Sequence, residues 1–451
     1  MNENLIGDVY GRYMMTTKSN WNSKTFAVYK AASGWYDFPF NSTMTSVYTA
    51  WNEIRKLTNG EGINYAWAQI LRVAAMQRIT DMYGPIPYSK VSNGNLKVEY
   101  DSQEDAYKAM FTDLTAAINT LTTYVAANPD SKPMAQYDGI YQGDFKQWVK
   151  FANSLKLRMA LRIRYADPAL AKSMAEEAVN HIIGVMTANG DNTKYNYVKG
   201  NPITVMWDAY KDTRACADIT SYMLGYSDPR ISKYFQTSSE IKGKKGFFGL
   251  RSGIATESET WACEYSAPNI NKSDPLYWMM ASEVTFCRAE GALLGWNMGG
   301  TAKSLYETAI KQSFDLWGAS GYDTYINDET NKQADYVDPN GKGSIAAAST
   351  ITIKWNEGDT QEKKLERIIT QKWIALYPIG QEAWSEYRRT GYPKFFAVAQ
   401  NTEFAGLIVA IRIPFPYSEY ENNHENVVKA TDMLNGKDTY STKLWWDKKN
   451  K

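Results

Sequence analysis

The feature that most constrains the fold is the repeated spacing of apolar residues by three and four positions, which is the pattern of one helical face. It is clearest between residues 365 and 391, where Pro378 and Gly380 interrupt the pattern as a tight link between two helices does. Gly391 permits a left-handed cap at the end of the second helix. The apolar face of the first helix carries Leu365, Ile368, Ile369, Lys372, Trp373 and Leu376. The segment therefore predicts a pair of helices.

The second helix of this pair carries two charged residues, Glu386 and Arg389, at a spacing that brings side chains together on one helix surface. We predict that this surface faces solvent. Trp384 falls on the opposite, apolar side, and tryptophans in such a stripe are typically core residues.

Several stretches of the chain resemble the signatures of one known family. The segments QKWIAL (Gln371–Leu376) and EAWSEYRRTGYP (Glu382–Pro393) resemble the C-terminal signature of the SusD/RagB family, in particular its SusD-like branch. YGPIPYS (Tyr83–Ser89), WVKFANSLKLRMALR (Trp148–Arg162) and DPRISKYF (Asp228–Phe235) also resemble it. The resemblance covers nearly the whole chain and implies a nutrient-binding lipoprotein on the outer surface of Bacteroidetes-type bacteria.

Helical hairpins recur elsewhere in the sequence. Residues 282–317 form a hairpin close to the ~34-residue period of a tetratricopeptide repeat, and related alternations cover 44–83 and 103–166. We predict an all-α fold, a tetratricopeptide-like stack of about four helix pairs with a loop-rich, irregular half packed on it. The resemblance implies the same architecture.

We predict one SusD-like domain over residues 1–451. Its helical repeats lie mainly in 44–183 and 282–391, and its loop-rich segments are 184–281 and 318–358.

Composition excludes several classes of function. A net charge of +1 gives no electrostatic case for nucleic acid, and no apolar run approaches the ~20 residues that span a bilayer. Only His181 and His424 are present, and three cysteines form no CxxC pair, so no metal site and no cofactor is predicted. The DPNGKG stretch (Asp338–Gly343) lacks the alternating carboxylates of a calcium loop, which favours a plain turn.

The resemblance also implies a location. Family members carry a signal peptide and a lipid-modified N-terminal cysteine, whereas Met1 is followed directly by polar sequence. We therefore expect a trimmed form whose full-length version is attached to the outer membrane, at the cell surface, only through the lipid anchor.

The resemblance implies a binding protein that captures oligosaccharide, or peptide in some branches, and passes it to a SusC-like TonB-dependent transporter. Two other classes remain open on the residues alone. An all-helical glycoside hydrolase would use paired carboxylates, such as Glu257 with Glu259 or Glu382 with Glu386. A generic repeat scaffold would bind protein partners only.

Aromatic residues in loop-like segments are the candidates for ligand contact, because the family signatures report the fold and not the ligand. The segments 21–40 and 200–265 are rich in such residues. The predicted platform residues are Trp35, Tyr36, Trp207, Tyr210 and Trp261. The alternative for each ring is that it only fixes its loop onto the helices.

Overall fold

The computed structural model describes residues 2–21, 24–31, 34–91, 97–399, 404 and 406–450. Helices dominate the described residues, and the strands are short. The α-helices are α1 (Asp37–Thr58), α2 (Gly62–Tyr83), α3 (Gln103–Ala127), α4 (Phe145–Ile163), α5 (Pro168–Val179), α6 (Pro202–Thr204), α7 (Ala217–Gly225), α8 (Ile231–Tyr234), α9 (Glu259–Cys263), α10 (Ala281–Leu293), α11 (Ala302–Trp317), α12 (Tyr322–Ile326), α13 (Gln361–Ala375), α14 (Gly380–Thr390), α15 (Tyr417–Asn422) and α16 (His424–Asp432). The strands are β1 (Met14–Thr16), β2 (Thr193–Tyr195), β3 (Thr213–Ala215) and β4 (Leu276–Met279).

The chain forms two compact units, and each is built from separate stretches of sequence. One, here called the helical unit, comprises Ala32–Met186 and Ala410–Asn450. The other, here called the mixed unit, comprises Met1–Ala31 and Thr187–Val409.

In the helical unit, helices α1 to α5 follow one another, and each packs against its neighbour in sequence. Side-chain caps define three of their starts: Ser102 accepts a hydrogen bond from the Asp105 N–H (3.1 Å), Asp144 from Gln147 (3.2 Å) and Asp167 from Leu170 (3.0 Å). Helix α1 begins at Asp37, seven residues before the predicted repeat. Pro39 does not prevent this start, because the first turn of a helix has no use for its missing N–H.

A buried carboxylate, Asp81, organises the centre of the helical unit. It accepts hydrogen bonds from Gln77 Nε2 (2.5 Å), the Tyr107 hydroxyl (2.6 Å) and the Trp446 indole (2.9 Å). Arg162 lies 3.6 Å away. Since a buried charge is costly unless it is paired, this carboxylate requires the C-terminal segment as well as α2, α3 and α4.

The mixed unit contains the strands. Strand β1 pairs antiparallel with β3, with Met15 opposite Arg214, and β2 pairs antiparallel with β4. The helices α10 and α11 form one hairpin, and α13 and α14 form another. The segment Asn2–Asp8 lies against α14, and a Cβ added to Gly380 would come within 2.4 Å of the Asp8 nitrogen, so this approach requires glycine.

The all-α prediction is confirmed. Helix pairs of the predicted kind are α1 with α2 and α3 with α4 in the helical unit, and α10 with α11 and α13 with α14 in the mixed unit. The segments predicted to be loop-rich hold only short elements, of which α7 is nine residues long. No helix among the described residues combines the length and apolarity that crossing a membrane requires.

A buried network of charges joins α10, α13 and α14. The Arg389 guanidinium contacts both oxygens of Glu290 at 2.6 and 2.7 Å and one oxygen of Glu386 at 2.6 Å. Lys372 lies 3.0 Å from Glu386 and donates to the Cys287 sulfur at 3.2 Å. Burial alone would lower the pKa of Arg389, but Glu290 and Glu386 outweigh it and raise that pKa.

This network corrects one prediction from the sequence. Glu386 and Arg389 do meet, as their spacing indicated, but both are buried and not on a solvent-exposed face. The reason is that α14 packs against α13 and against Asn2–Asp8, which leaves little of this short helix in solvent. Trp384 is buried as predicted. Burial also raises the pKa of the Cys287 thiol to about 12, as expected for a small core residue.

We expect Arg389→Met to destabilise the protein by about 3–5 kcal/mol, because it leaves Glu290 buried without its guanidinium partner. Lys303→Met removes an exposed pair with Glu307 and should cost less than about 1 kcal/mol. Denaturant unfolding followed by circular dichroism measures both. The double variant Glu290→Met/Arg389→Met should recover part of the loss, since Glu386 keeps Lys372. Equal stability of Arg389→Met and Lys303→Met would contradict this account.

The single-domain expectation stays a prediction, and calorimetry tests it. The two units are connected where residues 31 and 32, 186 and 187, and 409 and 410 join, so neither is one continuous stretch of chain. We expect one cooperative thermal transition with equal calorimetric and van't Hoff enthalpies. Two resolved transitions would show that the units unfold separately.

Candidate ligand-binding loops

The first candidate segment, residues 201–212, is fixed by hydrogen bonds at its start and middle. Asn201 accepts from the Ile203 N–H (3.0 Å) and donates to the Asp274 carbonyl (3.2 Å). The Trp207 indole donates to the Ile270 carbonyl at 3.0 Å. Trp207 is therefore half-buried and tied to the segment that leads into β4.

The second candidate segment is the short helix α9. Ser258 caps it by accepting a hydrogen bond from the Trp261 N–H at 3.1 Å. The Trp261 ring lies 5.3 Å from the Tyr265 ring in an edge-on arrangement. The Tyr265 hydroxyl donates to Asp338 at 2.6 Å, so the ring that supports Trp261 is itself anchored.

Two cations connect these segments. Lys18 donates to the Tyr210 carbonyl (2.8 Å) and forms ion pairs with Asp212 (3.2 Å) and Glu259 (2.9 Å). Burial lowers the pKa of Lys18, but these two carboxylates outweigh it and raise that pKa, so the lysine is charged when it holds them. Arg214 donates to the carbonyls of Trp207 (3.1 Å) and Cys263 (3.2 Å). The backbones that carry Trp207, Tyr210 and Trp261 are thus held in one region of the mixed unit.

Trp35 and Tyr36, the other two predicted platform residues, belong to the helical unit. Both are half-buried. The Tyr36 ring lies 6.0 Å from the Tyr440 ring, and the Tyr36 carbonyl accepts from the Tyr83 hydroxyl at 2.5 Å. The ligand role of all five residues stays a prediction.

Exposure distinguishes Tyr210 from the other predicted rings. Its side chain is 60% exposed, whereas Trp207, Trp261, Trp35 and Tyr36 are half-buried. A ring that stacks on a ligand needs an accessible face. Tyr210 meets this requirement, while the indole hydrogen bond of Trp207 also gives that residue a structural role.

The structure adds exposed rings that the sequence did not single out. Tyr197 is 44% exposed and Trp278 is 38% exposed. Trp278 lies in β4, and Tyr197 follows β2, its partner in the ribbon. The Tyr195 and Tyr197 rings are 6.1 Å apart. In the sequence, only the aromatic content of these two short stretches could have indicated these rings. Strands of three and four residues are too short to show the alternation that identifies a strand.

A cleft of about 150 Å³ adjoins residues 201–212, the segment that carries Trp207. Asn4 in this cleft is 5% exposed, and its Nδ2 donates to Asp8 at 3.2 Å. Its carboxamide oxygen has no hydrogen-bond donor among the described residues. Since whole-ligand pockets typically measure 300–1,000 Å³, this cleft suits part of a ligand that carries a donor. Its lining residues are Glu3, Asn4, Asn201, Pro202, Ile203, Met206, Pro275, Leu276, Tyr277 and Pro378.

The carboxylates that a hydrolase would use are engaged elsewhere. Glu257 pairs with Lys342, and Glu259 pairs with Lys18. Glu382 and Glu386 are buried in the core.

Asp338, in the stretch that resembles a calcium loop, accepts hydrogen bonds from the N–H groups of Lys342 (2.9 Å) and Gly343 (2.6 Å). Among the described residues, no cluster of three or more His, Cys, Asp or Glu is arranged to hold a metal ion.

These features define a helical-repeat protein that carries exposed aromatic side chains, such as Tyr210 and Tyr197, on connecting segments. Residues 1–447 match a family model, which is described as "SusD-like: Susd and RagB outer membrane lipoprotein". The chain therefore belongs to the SusD/RagB family, as its sequence signatures indicated.

Solved structures agree with this assignment. A SusD homologue from Bacteroides uniformis ATCC 8492 is 41% identical, with a TM-score of 0.93 over 99% of this chain and 95% of that chain. A chitin-binding SusD homologue from Flavobacterium johnsoniae is 40% identical, with a TM-score of 0.95 over 99% and 94%. A SusD homologue from Bacteroides thetaiotaomicron VPI-5482 is 39% identical, with a TM-score of 0.94 over 100% and 94%. No curated protein matches the chain.

Substitution by alanine should separate the structural and the exposed rings. Trp207→Ala loses a half-buried ring and a hydrogen bond and should lower stability by about 2–4 kcal/mol. Tyr210→Ala removes an exposed ring and should change stability by less than about 0.5 kcal/mol. Thermal melting of both variants measures the difference, and equal melting temperatures would contradict these roles.

Proposed function

We propose that this protein captures oligosaccharide at the cell surface and hands it to a SusC-like TonB-dependent transporter in the outer membrane. The observation that carries the proposal is the 40% identity over 99% of the chain to a chitin-binding SusD homologue. Membership of a family of outer membrane lipoproteins supports the location. We propose attachment to the membrane through an N-terminal lipid anchor, because the family is one of lipoproteins.

The proposed platform is the exposed Tyr210 ring, together with the accessible parts of Trp207 and Trp261. Flat aromatic faces suit sugar rings, whose C–H groups are apolar on one side while their hydroxyls remain available for hydrogen bonds. Trp35 and Tyr36 are proposed as ligand contacts of the helical unit by itself. The Asn4 carboxamide oxygen, in the cleft beside Trp207, supplies an acceptor for a hydroxyl or amide N–H of the ligand.

The proposed role is binding and not catalysis. Capture and release need complementary surfaces, whereas hydrolysis needs an acid and a base placed about a scissile bond. Glu257, Glu259, Glu382 and Glu386 lie in ion pairs or in the core, which favours the binding role. No cofactor and no metal is required for it.

We expect Tyr210→Ala to weaken binding of chito-oligosaccharides by about 1–3 kcal/mol, taking the stacking of a nucleobase on an aromatic ring as the nearest magnitude. Isothermal titration calorimetry measures this. Tyr137→Ala is the matched control, because Tyr137 is 69% exposed and lies in the helical unit outside the candidate segments. The same titration applies to the alanine variants of Trp35, Tyr36, Trp207 and Trp261.

Other outcomes would redirect the proposal. Normal binding by all five alanine variants would place the ligand elsewhere on the protein. Saturable binding of peptides but of no glycan would identify a peptide-capturing member of the family. Turnover of a glycan that a single carboxylate substitution abolishes would make the protein an enzyme.

A further inference from the structure

A groove of about 310 Å³ lies among α1, α2 and α3 of the helical unit, apart from the loops described above. Its volume falls in the range of small-molecule sites. The residues that line it are Trp51, Arg55, Tyr65, Gln69, Arg72, Tyr88, Ser89, Val91, Ala109, Thr112 and Asp113.

Arg72 is the fixed cation of this groove. Its guanidinium carbon lies 4.1 Å from the Trp51 ring centre and 4.0 Å from the Tyr88 ring centre, and cations at such distances are attracted by aromatic faces. It also donates to the Tyr88 carbonyl at 2.5 Å. The residue is 4% exposed, yet its Nε has no hydrogen-bond acceptor among the described residues. A buried N–H without an acceptor is costly.

Two further donors in the groove also lack partners. Arg55 is exposed and lies 5.3 Å from the Trp51 ring, and within the described part of the chain it has no carboxylate partner. The Tyr65 hydroxyl has no hydrogen-bond partner among the same residues. Burial and the Asp113 carboxylate raise the pKa of Tyr65, while Arg72 and Arg55 oppose that rise. The four groups line the same groove and can therefore act on one ligand.

Asp113 gives the groove an acceptor as well. Its carboxylate accepts from the Tyr88 hydroxyl at 2.7 Å and from Arg72 at 3.3 Å. A carboxylate has about four lone-pair sites, so Asp113 retains acceptor capacity. With Arg55, Arg72 and Asp113 in its lining, the groove carries an excess of one positive charge.

We propose that this groove binds a hexuronate, with the sugar carboxylate on Arg55, beside the fixed charge of Arg72, and the ring hydroxyls on Asp113 and Tyr65. The single negative charge of one hexuronate residue matches the excess positive charge of the groove. Several hydroxyl donors match the remaining acceptor capacity of Asp113, which a phosphate or sulfate ion would not use. Guanidinium groups suit carboxylates because they present planar, charge-assisted donors. The inference does not depend on the aromatic loops or on the function proposed for them.

Calorimetric titration with digalacturonate, against its neutral counterpart galactobiose, tests the proposal. We expect saturable binding of digalacturonate that is at least about ten-fold tighter than that of galactobiose, since a charge-assisted hydrogen bond contributes roughly this factor. Raising the salt concentration should weaken the binding, because exposed Arg55 is screened.

Arg55→Gln is the decisive variant, because it removes an exposed charge, keeps a polar side chain and leaves the core undisturbed. We expect it to lower the affinity for digalacturonate about ten-fold or more. Lys56→Gln removes the neighbouring exposed charge, which does not line the groove, and should change affinity by less than about two-fold. Unchanged melting temperatures in both variants establish that the fold is intact.

Four results would overturn the proposal. The first two are equal affinity for the neutral disaccharide and absence of saturable digalacturonate binding at low salt. The third is unchanged affinity in Arg55→Gln. The fourth is equally tight binding of the dipeptide Glu-Glu, which would assign the groove to peptide carboxylates. Tyr210→Ala distinguishes the two sites. It should leave digalacturonate affinity unchanged, and a loss in that variant would move this ligand to the loops.

Discussion

The mixed unit depends on a buried set of opposite charges, because no member of the set is stable in the core without the others. Arg389 contacts Glu290 from α10 and Glu386 from its own helix, and Lys372 from α13 contacts Glu386. A polar network of this kind contributes less net stability than an apolar core of equal volume. Its geometry, however, leaves little freedom in how α10, α13 and α14 pack together, since any other register would leave a buried charge without its partner.

Periodicity predicts elements better than it predicts faces. The spacing of Leu365, Ile368 and Trp373 predicted a helix that the structure confirms as α13. Residues three and four positions apart lie on one face in an α-helix and not in a strand. The same reasoning brought Glu386 and Arg389 together but placed them in solvent. Spacing within a helix says which side chains meet, whereas their burial depends on residues 2–8 and on α10, which are distant in sequence.

The candidate sites likewise divide into residues that the sequence selected and arrangements that only the structure reveals. Aromatic content in an aperiodic segment was enough to select Tyr210, whose ring proves to be exposed. The cleft beside Asn4 combines residues from near positions 3, 201, 276 and 378, and the groove around Arg72 depends on how α1 and α3 each pack against α2. No local pattern encodes such a meeting of distant segments. The Lys18 link to Asp212 and Glu259 was hidden for the same reason.

The position of Trp446 has a consequence for how the chain is made. Its indole reaches Asp81 across 365 residues of sequence, and Arg412 donates to the Tyr83 carbonyl at 2.7 Å. A nascent chain, which grows from its N-terminus, has α1 to α5 long before either group exists. Until Trp446 emerges, the centre of the helical unit lacks one donor to its buried carboxylate. Contacts this distant also slow folding, so the helical unit reaches its final form only after Trp446 has been synthesised.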